Sequence, residues 1–391
     1  MHLIPRVRRV ALCVALTVSA SAACSTSPGT TSHAETAAAA GSGVTRNYFV
    51  AADEVEWDYA PSGVNQAEGR PFNDMEKRWM EAGPHTMGRK AKKAIYREYT
   101  DATFSALKPR PSEWEHLGFL GPLIRGEVGD TIKIVFKNNA KFPASMHPHG
   151  VFYNKDSEGA LYNDGTSGAD KADDGVPTGA THTYTWQVPE RAGPTEHEGS
   201  SSIWMYHSHV DEVRDVAAGL LGPIVITRRG MAKPDGSPKD VDRELVAGFV
   251  EVDENMSWYL EENIKTYESD AKGVKIVNGA VGEISVTPEG GTYFKETING
   301  FSYGHTPGFI GKLGTHVRWY VMASTNFEFH APHWHGNVVT TNNMRTDVGM
   351  LVPMGMLVAD MTPDNPGKWF FHCHVSDHLR MGMQATYVID K

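Results

Sequence analysis

A thiol, three imidazoles and a thioether lie close together near the end of the 391-residue chain. His372-Cys373-His374 is followed by His378 and then by Met383. A thiolate with imidazoles and one weak thioether ligand is the donor set of electron-transfer copper sites. Successive side chains of an extended strand face opposite ways. Cys373 would therefore point to one side of its strand and the flanking histidines to the other, so that one strand could touch two metal centres.

Other histidines could complete both centres. His330 lies three residues before one His-x-His pair, and the chain carries three such pairs besides the first: His147/His149, His207/His209 and His333/His335. On a strand, both rings of a pair lie on one face. A single pair is commonly an unrelated surface or core feature, but four pairs around one cysteine indicate metal binding. Zinc competes for a Cys/His set, yet a closed tetrahedral zinc site needs fewer ligands than eight clustered imidazoles.

This pattern resembles that of the multicopper oxidases. The resemblance covers nearly all of the chain after an amino-terminal segment that is described below as an export signal. The resemblance implies four coppers per chain. Type 1 copper would be held by His330, Cys373, His378 and Met383. Type 2 copper would be held by His147 and His333, and the type 3 pair by His149, His207, His209, His335, His372 and His374.

The order of motifs repeats within the chain. The segment 129–136 precedes His147-Pro148-His149-Gly150, just as 314–321 precedes His333-Trp334-His335-Gly336. Short β-rich runs separated by Gly, Pro and Asn favour an all-β fold, and an internal repeat favours two related domains. We expect two cupredoxin-like Greek-key β-sandwiches, at residues 47–228 and 242–391, joined by a linker at 229–241.

Only the second half carries the type 1 pattern. Counting from the motifs, Ser208 takes the place of the cysteine, and Ala144, Val213 and Ala218 take the places of the two histidines and the methionine. We therefore expect no type 1 copper in the first domain and electron uptake in the second.

The amino terminus reads as an export signal at residues 1–24, with three arginines before an apolar run too short to span a bilayer. Signal cleavage and a lipoprotein signal with a lipidated Cys24 both remain open, and 25–46 reads as a flexible tether. We expect an extracellular or cell-envelope protein, with lipid anchoring an open alternative.

Cys373 would be the only cysteine of the folded part, which excludes an internal disulfide there. A formal charge of −10 disfavours nucleic acid as a partner.

Within the family the chain is similar to ceruloplasmin-like oxidases, on the segments 206–211, 219–223 and 252–260. The trinuclear cluster takes its histidines equally from both halves, and ring-shaped members of this group form it where a first domain meets a second. The resemblance therefore implies a homotrimer with clusters at the subunit interfaces, in line with closed cyclic symmetry.

Several secondary sites also follow from the resemblance. Glu158 matches a carboxylate that delivers protons near the cluster, and Tyr153 is a candidate redox-active neighbour. A solvated loop acid and a packed aromatic residue are the alternatives. Asp377 matches an iron-binding acid beside the type 1 site, although Glu296 replaces an iron-binding histidine and Gly291 a partner acid.

A calcium site is a further prediction. Its ligands would be the Lys155 carbonyl with the carboxylates of Asp170, Asp173 and Asp174. Clustered oxygen ligands suit Ca²⁺, although an acidic surface loop is the commoner explanation.

The predicted activity is the oxidation of phenols, Fe(II) or Cu(I) by dioxygen, which is reduced to water. A copper-storage or copper-sensing protein without turnover is the alternative from another class. Copper nitrite reductase is disfavoured, because that enzyme carries its type 1 site in the first domain and lacks the full set of histidine pairs.

Overall fold

A computed structural model describes residues 43–84, 86–268, 276–277, 280–281, 293–324 and 328–391. The export signal, Cys24 and nearly all of the predicted tether lie outside the described residues, as does Gly291. The first strand begins at Thr45, at the end of the predicted tether. In the described part of the chain, none of the helices has the length and apolar character needed to cross a membrane.

The first half of the chain forms two four-stranded sheets. Its strands are β1 (Thr45–Asp58), β2 (Ala82–Gly83), β3 (Thr86–Met87), β4 (Lys90–Glu98), β5 (Ile124–Glu127), β6 (Thr131–Asn138), β7 (His147–Pro148), β8 (Thr181–Gln187), β9 (Ser201–His207) and β10 (Leu221–Thr227). The sheet orders are β4-β1-β6-β8 and β5-β10-β9-β7, with β2 and β3 paired separately. Two helices accompany them, α1 (Asp74–Met80) and α2 (Glu212–Ala218).

The second half forms a six-stranded and a four-stranded sheet. Its strands are β11 (Arg243–Asp253), β12 (Ile276–Val277), β13 (Ala280–Val281), β14 (Phe294–Ile298), β15 (Ile310–Lys312), β16 (Val317–Ala323), β17 (Pro332–Trp334), β18 (Val339–Thr341), β19 (Met344–Thr346), β20 (Met356–Met361), β21 (Gly367–Cys373) and β22 (Gln384–Asp390). The orders are β14-β11-β16-β20-β18-β19 and β15-β22-β21-β17, and β12 pairs with β13. The helices are α3 (Leu260–Tyr267) and α4 (Ser376–Met381).

The two halves share one topology. The order β1-β6-β8 corresponds to β11-β16-β20, and β5-β10-β9-β7 corresponds to β15-β22-β21-β17. In each half, the first strand runs parallel to the next strand of its sheet, β1 to β6 and β11 to β16. The all-β prediction and the internal repeat are therefore confirmed, and we refer to the two halves as the first and second sandwich.

Alternation along the strands builds the cores. In β6, Ile132, Ile134 and Phe136 point between the sheets of the first sandwich, whereas the residues between them face outward. Strand β16 is buried along its whole length because both of its faces are covered. Trp319 packs inside the second sandwich, while Tyr320 joins an apolar cluster shared with the first. Apolar burial on this scale is the main stabilising contribution to folding, and here it also holds the sandwiches together.

Buried polar contacts add orientation to that interface. The guanidinium of Arg125 donates two hydrogen bonds to the carboxylate of Glu244, at 3.0 and 2.8 Å. Arg318, which is 1% exposed, donates to the hydroxyls of Ser200 and Ser201 at 2.8 Å. The bidentate contact between Arg125 and Glu244 fixes relative orientation as well as distance.

Candidate metal centres

The cysteine centre lies inside the second sandwich. Antiparallel pairing of β17 with β21 sets Pro332 opposite Cys373, and His330 enters from the residues just before β17. The Sγ atom of Cys373 lies 3.9 Å from Nδ1 of His330 and 3.6 Å from Nδ1 of His378. The two Nδ1 atoms are 3.2 Å apart. The N–H of Cys373 donates to the Met383 carbonyl at 3.1 Å, and both side chains are fully buried.

This donor set suits a soft metal ion with two imidazole ligands and one thiolate. Burial raises the pKa of the Cys373 thiol to about 11 and lowers the pKa of His330 to about 3. The apolar surroundings therefore disfavour both a bare thiolate and an imidazolium. A bound cation would compensate the thiolate charge, so metal binding and deprotonation are coupled at this centre.

A quartet of histidines lies on the other face of β21. We call His333, His335, His372 and His374 the second quartet. Neighbouring rings of this set have centroids 4.4 to 5.6 Å apart. The Nε2 atoms of His335 and His372 are 3.0 Å apart. Nδ1 of His372 lies 2.8 Å from the Cys373 carbonyl, which can only accept a hydrogen bond. The lone pair of His372 is therefore on Nε2, which faces Nε2 of His335.

The first sandwich repeats this arrangement with the first quartet, His147, His149, His207 and His209. The Nε2 atoms of His149 and His207 are 3.1 Å apart, and Nδ1 of His207 lies 3.0 Å from the Ser208 carbonyl. Nδ1 of His147 lies 2.7 Å from the Glu158 carbonyl, so its Nε2 also carries the lone pair. Burial lowers the pKa of His149, and of His372 in the second quartet, to about 4. Neutral imidazoles with fixed tautomers are ready metal ligands.

The two quartets are separate from each other. His147, His149 and His207 form one group with ligand atoms within 4.8 Å, and His333, His335 and His372 form another. Among the described residues, no such group and no ring contact joins a histidine of the first quartet to one of the second. Each sandwich therefore carries its own separate group of four histidines.

The type 1 position of the first sandwich differs from the sequence-based alignment. The N–H of Ser208 donates to the Leu220 carbonyl at 3.1 Å, as the N–H of Cys373 does to Met383. The N–H of Leu220 in turn donates to the Asp215 carbonyl at 3.1 Å, as that of Met383 does to His378 at 2.9 Å.

Asp215 and Leu220 are therefore the counterparts of His378 and Met383, and the assignment of Val213 and Ala218 was wrong. The loop that follows Ser208 is two residues longer than the loop that follows Cys373, so counting from the motif fails. With Ala144 and Ser208 in the remaining places, none of these four positions in the first sandwich holds a residue of the type predicted to bind type 1 copper.

Glu158 contacts the first quartet through its backbone. Its carbonyl accepts from His147, whereas its carboxylate lies 2.5 Å from the ammonium group of Lys155. Tyr153 is half-buried, with its ring centroid 5.9 Å from that of His147. The proton-delivery role of Glu158 and the redox role of Tyr153 stay predictions. The contacts support a different role for Glu158, which is to orient His147.

Carboxylates surround the outer edge of His378. Its Nε2 lies 3.0 Å from a carboxylate oxygen of Glu328, and the ligand atoms of Glu251, Glu296 and His378 lie within 4.8 Å of one another. Antiparallel pairing of β11 with β14 sets Glu251 opposite Glu296. Asp377, the residue singled out from the sequence, is exposed and not part of that group. Sequence reasoning missed Glu251 and Glu328; only the strand register brings Glu251 to this edge.

Lysine side chains interact with the acids around the predicted calcium site. The ammonium group of Lys171 lies 2.8 Å from Asp174, and Asp173 accepts the N–H of Gly159 at 2.7 Å. Asp170 is exposed. Among the described residues, the three carboxylates do not gather within 4.8 Å of one another. Calcium binding by these residues with the Lys155 carbonyl stays a prediction.

Known proteins resemble this chain in sequence. Two family models, both described as multicopper oxidase, match residues 117–230 and 283–391. The chain is 42% identical to the human protein named Ferroxidase HEPHL1, over 89% of this chain and 29% of that protein. It is 40% identical to mouse Hephaestin, over 89% and 30%, and 36% identical to human Ceruloplasmin, over 88% and 32%. The chain thus spans about a third of the length of these relatives.

Solved structures share the fold. A crystal structure of a multicopper oxidase matches with a TM-score of 0.55 at 16% identity, over 88% of this chain and 89% of that one. A blue copper oxidase from Nitrosomonas europaea matches with a TM-score of 0.52 at 16% identity, over 88% and 86%.

Proposed function

The chain belongs to the multicopper oxidases, and on that premise we propose that it oxidises a reducing substrate one electron at a time and reduces dioxygen to water. Four bound coppers per chain, one of type 1, one of type 2 and a type 3 pair, would supply this redox chemistry. The observation that carries the proposal is strand β21. It holds Cys373 against His330 and His378 on one face, and His372 against His335 on the other.

The residues of the chain would connect the two centres covalently. From the Sγ atom of Cys373, the path to either neighbouring histidine runs through one stretch of backbone. The hydrogen bond from Nδ1 of His372 to the carbonyl of Cys373 would offer electrons a shorter route between the two centres. Oxygen consumption with a phenolic donor tests the activity. In a copper-storage protein without turnover, reduction would stop once the bound copper itself had been reduced, and no further oxygen would be consumed.

We propose that a complete trinuclear cluster forms between the first quartet of one chain and the second quartet of another, in a homotrimer. The separation of the quartets within one chain supports this. Each sandwich also carries exposed apolar side chains that a partner would cover. They include Phe152, which lines a cavity with His147 and His149, and Val338, three residues after His335.

Subunit mixing tests this assembly. One chain carries His149→Ala with His207→Ala, and the other carries His335→Ala with His372→Ala. In a head-to-tail ring assembled at random from equal amounts, about a quarter of the interfaces would join two intact quartets. We expect about that fraction of wild-type oxygen reduction from the mixture and none from either chain alone. An inactive mixture of correctly sized trimers would contradict the proposed interface, as would a monomeric copper-loaded wild type in sedimentation.

Fe(II) is the donor that the surroundings of His378 favour over phenols. Glu251 and Glu296 are 8% and 3% exposed, and with Glu328 they gather negative charge at the outer edge of a type 1 ligand. Burial and the charges of Glu251 and Glu328 raise the pKa of Glu296. Carboxylate oxygens are the ligands that hard divalent cations prefer, and a cation here would offset the mutual repulsion. The exposed Asp377 would serve at the entrance of this site.

Measuring each variant with Fe(II) and with a phenol as electron donor distinguishes a defect at the iron site from a general loss of oxidase activity. We expect Glu251→Gln and Glu296→Gln each to raise KM for Fe(II) by about tenfold or more, the effect of losing about 1.4 kcal/mol of binding. Oxidation of a bulky phenol should change little, because the coppers and their ligands are untouched. Glu261, an exposed acid of helix α3 that pairs with Lys265, provides the matched control as Glu261→Gln. An equal loss with both donors would contradict a dedicated iron site.

A further inference from the structure

A hydrogen-bonded polar site lies in the first sandwich where the second has its cysteine centre. The hydroxyl of Ser208 donates to Oδ2 of Asp215 at 2.6 Å, and neither residue has exposed surface. The N–H groups of Val210 and Asp211 donate to the same oxygen, at 3.0 and 3.1 Å. The buried carboxylate of Asp215 thus accepts three hydrogen bonds from residues 208–211, the loop that contains His209 of the first quartet.

The backbone frame of the two sites is the same. In the second sandwich the N–H of Ala331 points to Sγ of Cys373, at 3.4 Å. In the first, the N–H of Ser145 donates to the hydroxyl oxygen of Ser208, at 3.0 Å. The hydroxyl oxygen of Ser145 accepts the N–H of His209 at 3.0 Å. A chain of hydrogen bonds therefore runs from Asp215 through two serines to the backbone of a quartet histidine.

An aromatic residue from the second half of the chain closes the outer side. The indole N–H of Trp258 donates to Oδ1 of Asp215 at 2.8 Å. The guanidinium of Arg214 lies 3.7 Å from the ring centroid of Trp258, and Phe142 stacks on that ring at 5.2 Å. The equivalent edge of His378 instead faces Glu328. The same position is thus sealed in one sandwich and bordered by carboxylates in the other.

We propose that Asp215 is a positioning residue for copper binding by the first quartet. Its hydrogen bonds hold Ser208, which lies between His207 and His209, and so keep both imidazoles in place without a metal ion behind them. In the second sandwich, a metal bound by Cys373 and His378 would brace the same segment. The inference rests on the proposed function, in which the first quartet supplies copper ligands. Groups that orient metal ligands in this way commonly contribute about 10–100-fold in metal affinity.

Copper titration of the full chain tests this role. The variants are Asp215→Ala and Ser208→Ala, and Asp211→Asn is the matched control, since it removes a nearby exposed carboxylate and keeps its backbone N–H. The intense visible band of copper bound to Cys373 reports on the second sandwich. The near-ultraviolet band of the paired coppers and the type 2 electron paramagnetic resonance signal report on the cluster. We expect 10–100-fold weaker Cu(II) binding at the cluster in both test variants, with the visible band unchanged.

Wild-type cluster affinity in Asp215→Ala would overturn the inference. If that variant loses the visible band too, its fold has failed and Ser208→Ala decides, because it removes a single hydroxyl. Wild-type affinity there would again overturn the proposal. A wild-type protein with the visible band and no cluster signals would refute the proposed function instead, so the two failures are distinguishable.

Discussion

His116 should make the stability of the folded chain sensitive to acid. It lies in a short 3-10 turn of the first half, Ser112–Leu117, and has no exposed surface. Its Nε2 accepts the N–H of Val246 in β11, at 3.1 Å. A proton on Nε2 would remove the acceptor and bury a charge. Burial, and less strongly the guanidinium of Arg243, lower the pKa of His116 from 6.5 to about 3.

The size of the effect follows from proton linkage. The unfolded chain binds a proton near the ordinary histidine pKa, whereas the folded chain does not until far lower pH. The stabilisation from the neutral imidazole is therefore present above the unfolded pKa and is lost as pH falls towards the folded one. Between pH 7 and pH 5 the loss from this one residue is about 2 kcal/mol. At pH 5 that figure barely depends on the folded pKa, provided that it lies below about 4.

The variant His116→Gln isolates this contribution. Its amide oxygen can accept the Val246 N–H but does not titrate. Urea unfolding of wild type and variant at several pH values measures the difference between their free energies of unfolding, in which the other histidines cancel. We expect the advantage of the wild type to shrink by about 2 kcal/mol from pH 7 to pH 5. Parallel curves over this range would refute the reasoning.

Three further predictions concern the stability of the fold. Lys93→Met should cost about 3–5 kcal/mol, because it removes the ammonium group that lies 2.9 Å from the carboxylate of the fully buried Glu254; adding Glu254→Gln should recover most of that loss in a double-mutant cycle. Gly336→Ala should destabilise the fold by about 1–3 kcal/mol, because φ is +72° and the new methyl group would lie 2.4 Å from the Trp369 ring; thermal unfolding measures this, and an unchanged midpoint would contradict it. Removal of copper by a chelator should lower the unfolding temperature, because ligands that bind the native state stabilise it; equal midpoints for loaded and stripped protein would contradict metal binding by the folded chain.

Much of the geometry of the candidate metal centres could be predicted from local patterns. The period-two geometry of a strand decides that Cys373 and His372 face opposite ways, whatever surrounds them. The same reasoning placed both rings of each His-x-His pair on one face. Equivalent motifs in equivalent order predicted two related sandwiches, since a repeated hydrophobic and turn pattern folds into a repeated unit. The described structure agrees in each case.

Alignment by counting failed where a loop changed length. Asp215 lies where the second sandwich has His378, but two additional residues after Ser208 hid this from the sequence. The hydrogen bonds to the carbonyls of Asp215 and Leu220 revealed the correspondence, because backbone geometry is retained where side chains are not. Val213 was chosen from its position along the chain alone.

The sequence by itself determined which residue types could bind copper, which half holds the cysteine centre, and that the fold is built from strands. Those properties depend on neighbours a few residues apart. Only the tertiary structure decided that Glu251 meets Glu296 beside His378, and that Trp258 from one half seals Asp215 in the other. Strand register and packing between sandwiches bring together residues that are distant in sequence. No local pattern encodes such pairings, because many registers satisfy the same alternation of apolar and polar residues.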